Sequence, residues 1–334
     1  MKIKKMIFCI FMIIASVSIS AQQYDPESDF NATRNSDGVS VSITGYVGGK
    51  QVVNIPPEIR GLPVTVIGIG AFEEKRLTRV TIPNSVITIG KGAFHSNSLT
   101  SITIPNNVTT IGDYAFFGNR LTSIIIPDSV TTIGDRAFSF NDGLTSINVS
   151  QNNANFRSID GVLYNKNGTT LILWPGGKKT VSIPNSVTTI GDNAFRDNSL
   201  TSVIIPNSVI TIGDYAFYGN RLTSIIIPNS VTTIGNDAFS SNSLTSVTIP
   251  NSVITIGNGA FSSNSLTSVI IPNSVITIGD YAFSGNRLTS ITIGSNVTLH
   301  SNHPFPYGFC QFYNRNGRKA GTYDFQDGVG WKEW

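Results

Sequence analysis

The side chains with which this chain could do chemistry are few, and their spacing limits what they can do. His95, His300 and His303 are its three histidines. His95 stands apart, and the other two fall in an irregular end without a carboxylate cluster, so neither a general acid–base pair nor a zinc ligand set forms. There is no HExxH, no GxSxG, no phosphate-binding glycine loop and no cysteine–histidine pair. Asp113, Asp135, Asp192, Asp214 and Asp280 form a column that could offer oxygens to calcium between coils. Each follows Gly and precedes x-Ala-Phe, where a short helical turn takes an N-cap, and capping is the expected role. Asn236, Asn258 and Lys91 share that column, and the lysine would repel a cation. A second column, Asn97, Asn119, Asn141, Asn198, Asn220, Asn242, Asn264 and Asn286, could be a binding ladder. Buried loop backbone must find partners, however, so an internal amide ladder is expected instead. No catalytic residue, cofactor or metal is predicted.

Side chains suited to recognition are more plentiful. Ile125, Ile204, Ile226 and Ile270 share an outward strand column with Thr81, Thr103, Asn148, Ser182, Thr248 and Thr292, and a column of serines runs beside it. If that sheet faces solvent it presents a nearly uncharged surface with exposed isoleucines, of the kind that marks interaction sites. β-propensity alone would also select these residues. Tyr114, Tyr215 and Tyr281, with Arg120, Arg221 and Arg287 nearby, form a second candidate surface, because Tyr and Arg concentrate binding energy. Tyrosines packed against the next coil are the alternative.

These columns exist because the sequence repeats. Leu244–Ser265 reads LTSVTIPNSVITIGNGAFSSNS, and the next unit, from Leu266, repeats it with few changes. Leading leucines recur at a spacing of 22 within two runs, save one interval of 23 between Leu121 and Leu144. A proline column from Pro83 to Pro272 and a phenylalanine column from Phe72 to Phe283 keep the same register. Such periodicity specifies a solenoid. In each unit LTSVTIP reads as a strand ended by proline. A second extended piece follows at Val253–Ile256, Gly257 lets the chain turn, and Ala260-Phe261 sits on a tight helical or 3₁₀ turn. The half-dozen apolar side chains of one coil cannot offset the ordering of its backbone, so coils must stack. The predicted fold is a β-rich solenoid: a right-handed leucine-rich-repeat stack of about eleven units with a parallel sheet, short turns and capped ends.

The repeat occupies residues 50–300, interrupted at 150–177 by a β-hairpin signature, Val162–Tyr164, Asn167-Gly168 and Thr170–Trp174. That hairpin is expected to protrude without breaking the stack. Residues 22–49 form a linker and strand cap, polar and flexible up to about residue 36, and 301–334 an aromatic, β-rich cap. Residues 1–21 carry Lys2, Lys4 and Lys5, an apolar run and small residues before Gln22, the order of a secretory signal peptide. The apolar run is too short to span a bilayer. Removing three lysines from a formal charge of +3 leaves a nearly neutral chain, without a field to attract nucleic acid or anionic lipid. Cys310 becomes the sole cysteine, so no intramolecular disulfide is available.

The unit LTSVTIPNSVITIGNGAF, repeated from about Val64 to Gly294, resembles the BspA-like leucine-rich repeat family of host-associated bacteria and some protists. The insertion SIDGVLYNKNGTTLILWPGGKK looks like one common in that family, and NRNGRKAGTYDF followed by Trp331 is similar to tails of treponemal-type members. The chain departs from many members in carrying Asn where they have Cys near the end of each coil, and it shows no wall-sorting motif or lipid anchor. The resemblance implies a non-enzymatic surface antigen or adhesin that binds matrix proteins or other bacteria. The expected function is therefore a secreted or cell-surface scaffold, binding a host or neighbouring-cell protein or glycan through an extended face. Near-identical coils suit multivalent binding. A self-associating surface-layer component is the alternative, and a carbohydrate-active enzyme a distant third.

Overall fold

The Val-x-Thr-Ile-Gly stretch after each proline is the most regular pairing element of the chain. The computed structural model describes residues 23–295, 297–299, 304–305, 308–326 and 329–333. The expected signal peptide, His300, His303, Tyr307 and Trp334 lie outside them. The described chain is a β-solenoid of about 12 turns with parallel sheets and little helix. Thr88–Ile89, Thr110–Ile111 and Thr132–Ile133 pair in parallel, Thr on Thr and Ile on Ile. Leu62–Ile67 and Val41–Tyr46 extend this ladder backwards, and Phe30–Arg34 closes it antiparallel. A second ladder runs through Thr170–Leu173, Thr189–Ile190, Thr211–Ile212, Thr233–Ile234, Thr255–Ile256, Thr277–Ile278 and Thr298–Leu299. Alternation turns the isoleucine inward, where Ile212, Ile234 and Ile256 are fully buried, and leaves the threonine half out.

The glycine closing this stretch has a different job from the one its sequence position suggests. A Cβ on Gly235 would meet Gly213 C at 2.6 Å and Asp214 N at 2.7 Å, and one on Gly257 would meet Gly235 C at 2.5 Å. Neither has a positive φ, so glycine is required by close approach of the previous coil and not by a turn. The left-handed residue comes two positions later, as in Tyr114 (φ 56°), Arg136 (φ 55°) and Tyr215 (φ 55°). Ala-Phe then lies on a tight turn, with Ala115 N donating to Gly112 O at 3.2 Å and Phe116 N to Ala137 O of the next coil at 2.8 Å. The phenylalanine rings stack face to face along the axis, Phe94–Phe116 at 5.3 Å and Phe217–Phe239 at 5.2 Å between centroids.

The insertion does more than protrude. Phe156–Ile159, Val162–Asn165 and Thr170–Leu173 form an antiparallel meander, of which the last two strands are the expected hairpin. Its third strand takes the ladder position, Thr170 against Thr189 and Leu171 against Ile190. Trp174 takes the phenylalanine position, donating its N–H to Ala194 O at 2.9 Å and stacking on Phe195 at 5.3 Å. Among the described residues Thr132–Ile133 pairs only with the preceding coil, so the Thr-Ile ladder is cut here, contrary to expectation, and the meander forms a partition between two halves of the solenoid. The cause is that this meander is apolar on both faces. It bulges at Ile172, where Leu163 pairs with Leu173 and Tyr164 with Leu171, setting Leu171 and Leu173 on opposite sides. Leu163, Ile172 and Leu173 pack on the first core, while Val162, Tyr164, Leu171 and Trp174 belong to the second.

Both ends are more ordered than the sequence indicates. Glu27–Asp29 form a 3₁₀ turn leading into Phe30–Arg34, where a flexible linker was expected. Phe30 anchors this segment by packing on Tyr46 and Phe72, 5.6 and 6.3 Å away. At the other end, Phe305 prolongs the ring stack, 5.2 Å from Phe283. The cap contains a helix that was not expected, α1 (Phe309–Arg315), followed by the antiparallel strands Gly321–Gln326 and Gly330–Glu333. Phe309, Tyr313, Tyr323 and Trp331 close it in edge-to-face contacts.

Candidate functional site: the strand face and the partition

The polar columns are structural. Asn119 Nδ2 donates to Phe94 O at 2.9 Å and Phe116 O at 3.1 Å, and its Oδ1 accepts Leu99 N at 3.1 Å. Asn97, Asn141, Asn220, Asn242, Asn264 and Asn286 repeat this geometry. The expected amide ladder is present at these seven positions, each asparagine satisfying the backbone of two coils, while Asn198, also expected in it, makes one long bond, to Trp174 O at 3.3 Å. Asp113, Asp192 and Asp214 reach the next coil in place of capping their own turns. Asp113 Oδ1 accepts Asp135 N at 3.0 Å, Asp192 Oδ1 accepts Asp214 N at 2.8 Å, and Asp214 Oδ1 accepts Asn236 N at 2.7 Å. The carboxylate reaches the next coil because its own turn already closes through Gly O to Ala N. No group of histidines, cysteines and carboxylates that could hold a metal exists among the described residues.

The strand face carries the exposed isoleucines. Ile204 and Ile226 are 85% and 84% exposed, and Ile125 and Ile270 63% and 64%. Ile204 and Ile226 stand on successive coils, with Thr248 beside Ile226 across a parallel bridge. Ile270 follows beyond Thr248 and pairs with Thr292. Ile125 lies in the other half of the solenoid, opposite Asn148, so the four form one patch of three with an outlier. A second apolar column, not anticipated, lies on the Thr-Ile sheet: Ile87, Ile210, Ile254 and Ile276. Its signal was the residue between Val and Thr-Ile in each unit, which alternation turns outward.

The tyrosines and arginines divide. Tyr281 is exposed, whereas Tyr114 and Tyr215 are half-buried. Arg120, Arg221 and Arg287 are exposed at the start of the next coil, each donating its backbone N–H to the leading leucine of the coil before. The cations on the rings are others. Arg136 lies 4.9 Å from the centre of Phe117 and 5.5 Å from Tyr114, and Arg196 lies 4.7 Å from Tyr215 and 4.3 Å from Tyr218. Arg136 occupies the Tyr114 column and Arg196 the Phe117 column, so register could have found them. Their position gives them a task. Arg136 pairs with Asp197 at 3.2 Å across the meander, and Arg196 holds the same carboxylate at 3.3 Å. Nearby, burial and then the carboxylates of Asp113 and Asp192 raise the pKa of Asp135. This cluster is thus a clasp between the two halves. Asn153, fully buried in the insertion, adds bonds to Pro127 O and Val130 O at 2.8 and 2.9 Å.

Ladders of Asn, Phe and Ile around a two-sided parallel stack define a leucine-rich-repeat solenoid. The sequence matches the model of the BspA type leucine rich repeat region over residues 65–173 and 188–309, and the chain belongs to that family. Among solved structures, a leucine-rich repeat protein from Eubacterium ventriosum is similar at 25% identity and a TM-score of 0.53, over 78% of this chain and 94% of that one. A leucine rich cell surface protein from Faecalibacterium prausnitzii is 23% identical with a TM-score of 0.45, over 83% and 90%. No curated protein matches the chain. The family supports a protein-interaction scaffold. No helix among the described residues is long and apolar enough to cross a membrane.

Proposed function

We propose that this protein is an exported, non-enzymatic adhesin-type scaffold of the bacterial surface, binding a host or neighbouring-cell protein or glycan through the strand face. The observation that carries the reading is the patch of Ile204, Ile226 and Ile270, strongly exposed on a framework whose asparagine and phenylalanine columns are occupied internally. An isoleucine left in water gains little burial energy on folding, and burying one against a partner is worth about 1.5–3 kcal/mol. The serines and threonines around it supply hydroxyls for hydrogen bonds without charge. Membership of a family of interaction scaffolds supports the same reading, and the repeated coils favour avidity.

The test is binding of residues 22–334 to an array of matrix proteins and glycans, with light scattering on the same sample. A monomer with saturable binding is the expected result. Reversible self-assembly without ligand binding would replace this reading with a surface-layer role.

A further inference from the structure

The strand side of the solenoid is joined from coil to coil in blocks. Val52–Asn54 pairs with Arg79–Thr81, Ser123–Ile126 with Ser146–Val149, and Ser268–Ile271 with Ser290–Ile293. Between these blocks the same sequence motif is left open. Among the described residues no backbone hydrogen bond joins Ser101–Ile104 or Ser202–Ile205 to a neighbouring coil, although a continuous strand was expected there. Thr180–Ile183 is equally unbonded. The turns and the Thr-Ile ladders hold these coils together elsewhere, so the opening is confined to this side.

Two further observations show that the openings are real crevices. Ile102, Val181 and Val203 point inward but are only partly buried, whereas Ile124, Ile147, Val269 and Ile291 at the same position of the paired blocks are at most 2% exposed. A crevice of about 590 Å³ lies between residues 79–83 and 101–105, and one of about 370 Å³ between 178–181 and 198–204. Open backbone donors and acceptors beside a partly uncovered core are the features that attract an added strand.

The chain itself shows what covers this side. At its C-terminal end Gly321–Gln326, outside the repeat register, pairs antiparallel with Ser290–Ile293. At its N-terminal end Asp25 donates its N–H to Asn54 O at 2.9 Å. Charge narrows the partner further. Arg79 lines the first crevice and Lys178 and Lys179 the second, with no aspartate or glutamate among the lining residues. Lys178 is held by Asp160 at 3.0 Å, which leaves Arg79 and Lys179 at the two mouths.

We infer that Ser101–Ile104, Thr180–Ile183 and Ser202–Ile205 are strand-addition sites for an extended segment of a partner protein carrying carboxylates beside the strand. Its main chain pairs with the open lip. Its inward side chains cover Ile102 or Val203, and its outward ones extend the Ser/Thr/Ile face. This rests on the scaffold reading and adds the mode of binding.

The probe is a labelled synthetic peptide with this chain's residues 289–293 flanked by two aspartates at each end, followed by fluorescence anisotropy. Saturable binding is expected, falling at least tenfold when alternate residues are N-methylated, which keeps the side chains and removes the donors of one edge. Bound peptide should slow amide exchange at Ile102–Ile104 and Val203–Ile205, which exchange faster than Ile124–Ile126 in the free protein. Equal binding of the methylated peptide, no binding, or full protection of 102–104 in the free chain would each overturn the inference. The array result separates the two claims: protein ligands that still bind while the peptide does not leave the scaffold reading standing and remove only strand addition.

Discussion

Asn220→Ala tests whether the amide ladder carries the weight assigned to it. Asn220 is 6% exposed. Its Oδ1 is the acceptor for Leu200 N at 2.9 Å, and its Nδ2 donates to Phe195 O at 2.8 Å and Phe217 O at 2.9 Å. Phe217 O keeps a second donor, Asn242 Nδ2 at 2.9 Å. The substitution therefore orphans two buried groups, the Leu200 N–H and the Phe195 carbonyl. At about 1–3 kcal/mol for each group, the loss is about 2–6 kcal/mol. Asn198 provides an internal control, since its amide makes one long bond, to Trp174 O at 3.3 Å, at the coil that follows the partition. Asn198→Ala should lose about 1 kcal/mol or less. Urea titration by circular dichroism measures both variants, with amide exchange at Leu200 to detect opening confined to a few coils. Equal losses for the two variants, or a loss below about 1 kcal/mol for Asn220→Ala, would refute the assignment of stability to the ladder.

Phe217→Ala removes a fully buried ring from the stack and should destabilise by about 3–5 kcal/mol in the same titration; an unchanged melt would show the register to be wrong. Gly235→Ala, whose new Cβ would sit 2.6 Å from Gly213 C, should lose at least about 1–3 kcal/mol, where a turn-forming role would predict little change without positive φ. The Arg136–Asp197 pair, 12% and 22% exposed, should show a coupling of about 1 kcal/mol in a double-mutant cycle, read from exchange in the meander. The pKa of Asp135 is raised in the folded chain, so its ionisation opposes folding above the ordinary carboxylate range. Asp135→Asn should therefore stabilise at neutral pH, with the gain vanishing as pH falls below that range.

The repeat made most of the fold legible. A 22-residue period stacks like on like, so the positions of the Phe, Asn and Ile columns followed from register alone. The partition was legible as strands but not as a divider, because nothing in Thr170–Trp174 announces that Leu171 and Trp174 replace a ladder isoleucine and a stack phenylalanine two residues early. The glycine column was misread because close approach and positive φ select the same residue. The exposed isoleucines came directly from alternation. Arg136 and Arg196 were missed because each is the single arginine in a column of other residues, and the carboxylate they share, Asp197, is next to Arg196 but lies across the insertion from Arg136, where sequence distance conceals contact. The open segments on the strand side carry the same motif as the paired ones, so no local signal distinguishes them.

The central claim, that the strand face is the binding surface, is tested most directly by a matched pair of triple variants. Ile204→Lys, Ile226→Lys and Ile270→Lys alter that face, while Ile210→Lys, Ile254→Lys and Ile276→Lys place the same chemistry on the opposite sheet, where those residues are about half exposed. With a ligand identified from the array and both variants melting like the parent, the first should bind at least about tenfold more weakly, about 1.4 kcal/mol, and the second unchanged. Equal binding by the two, or loss only in the second, would contradict the account.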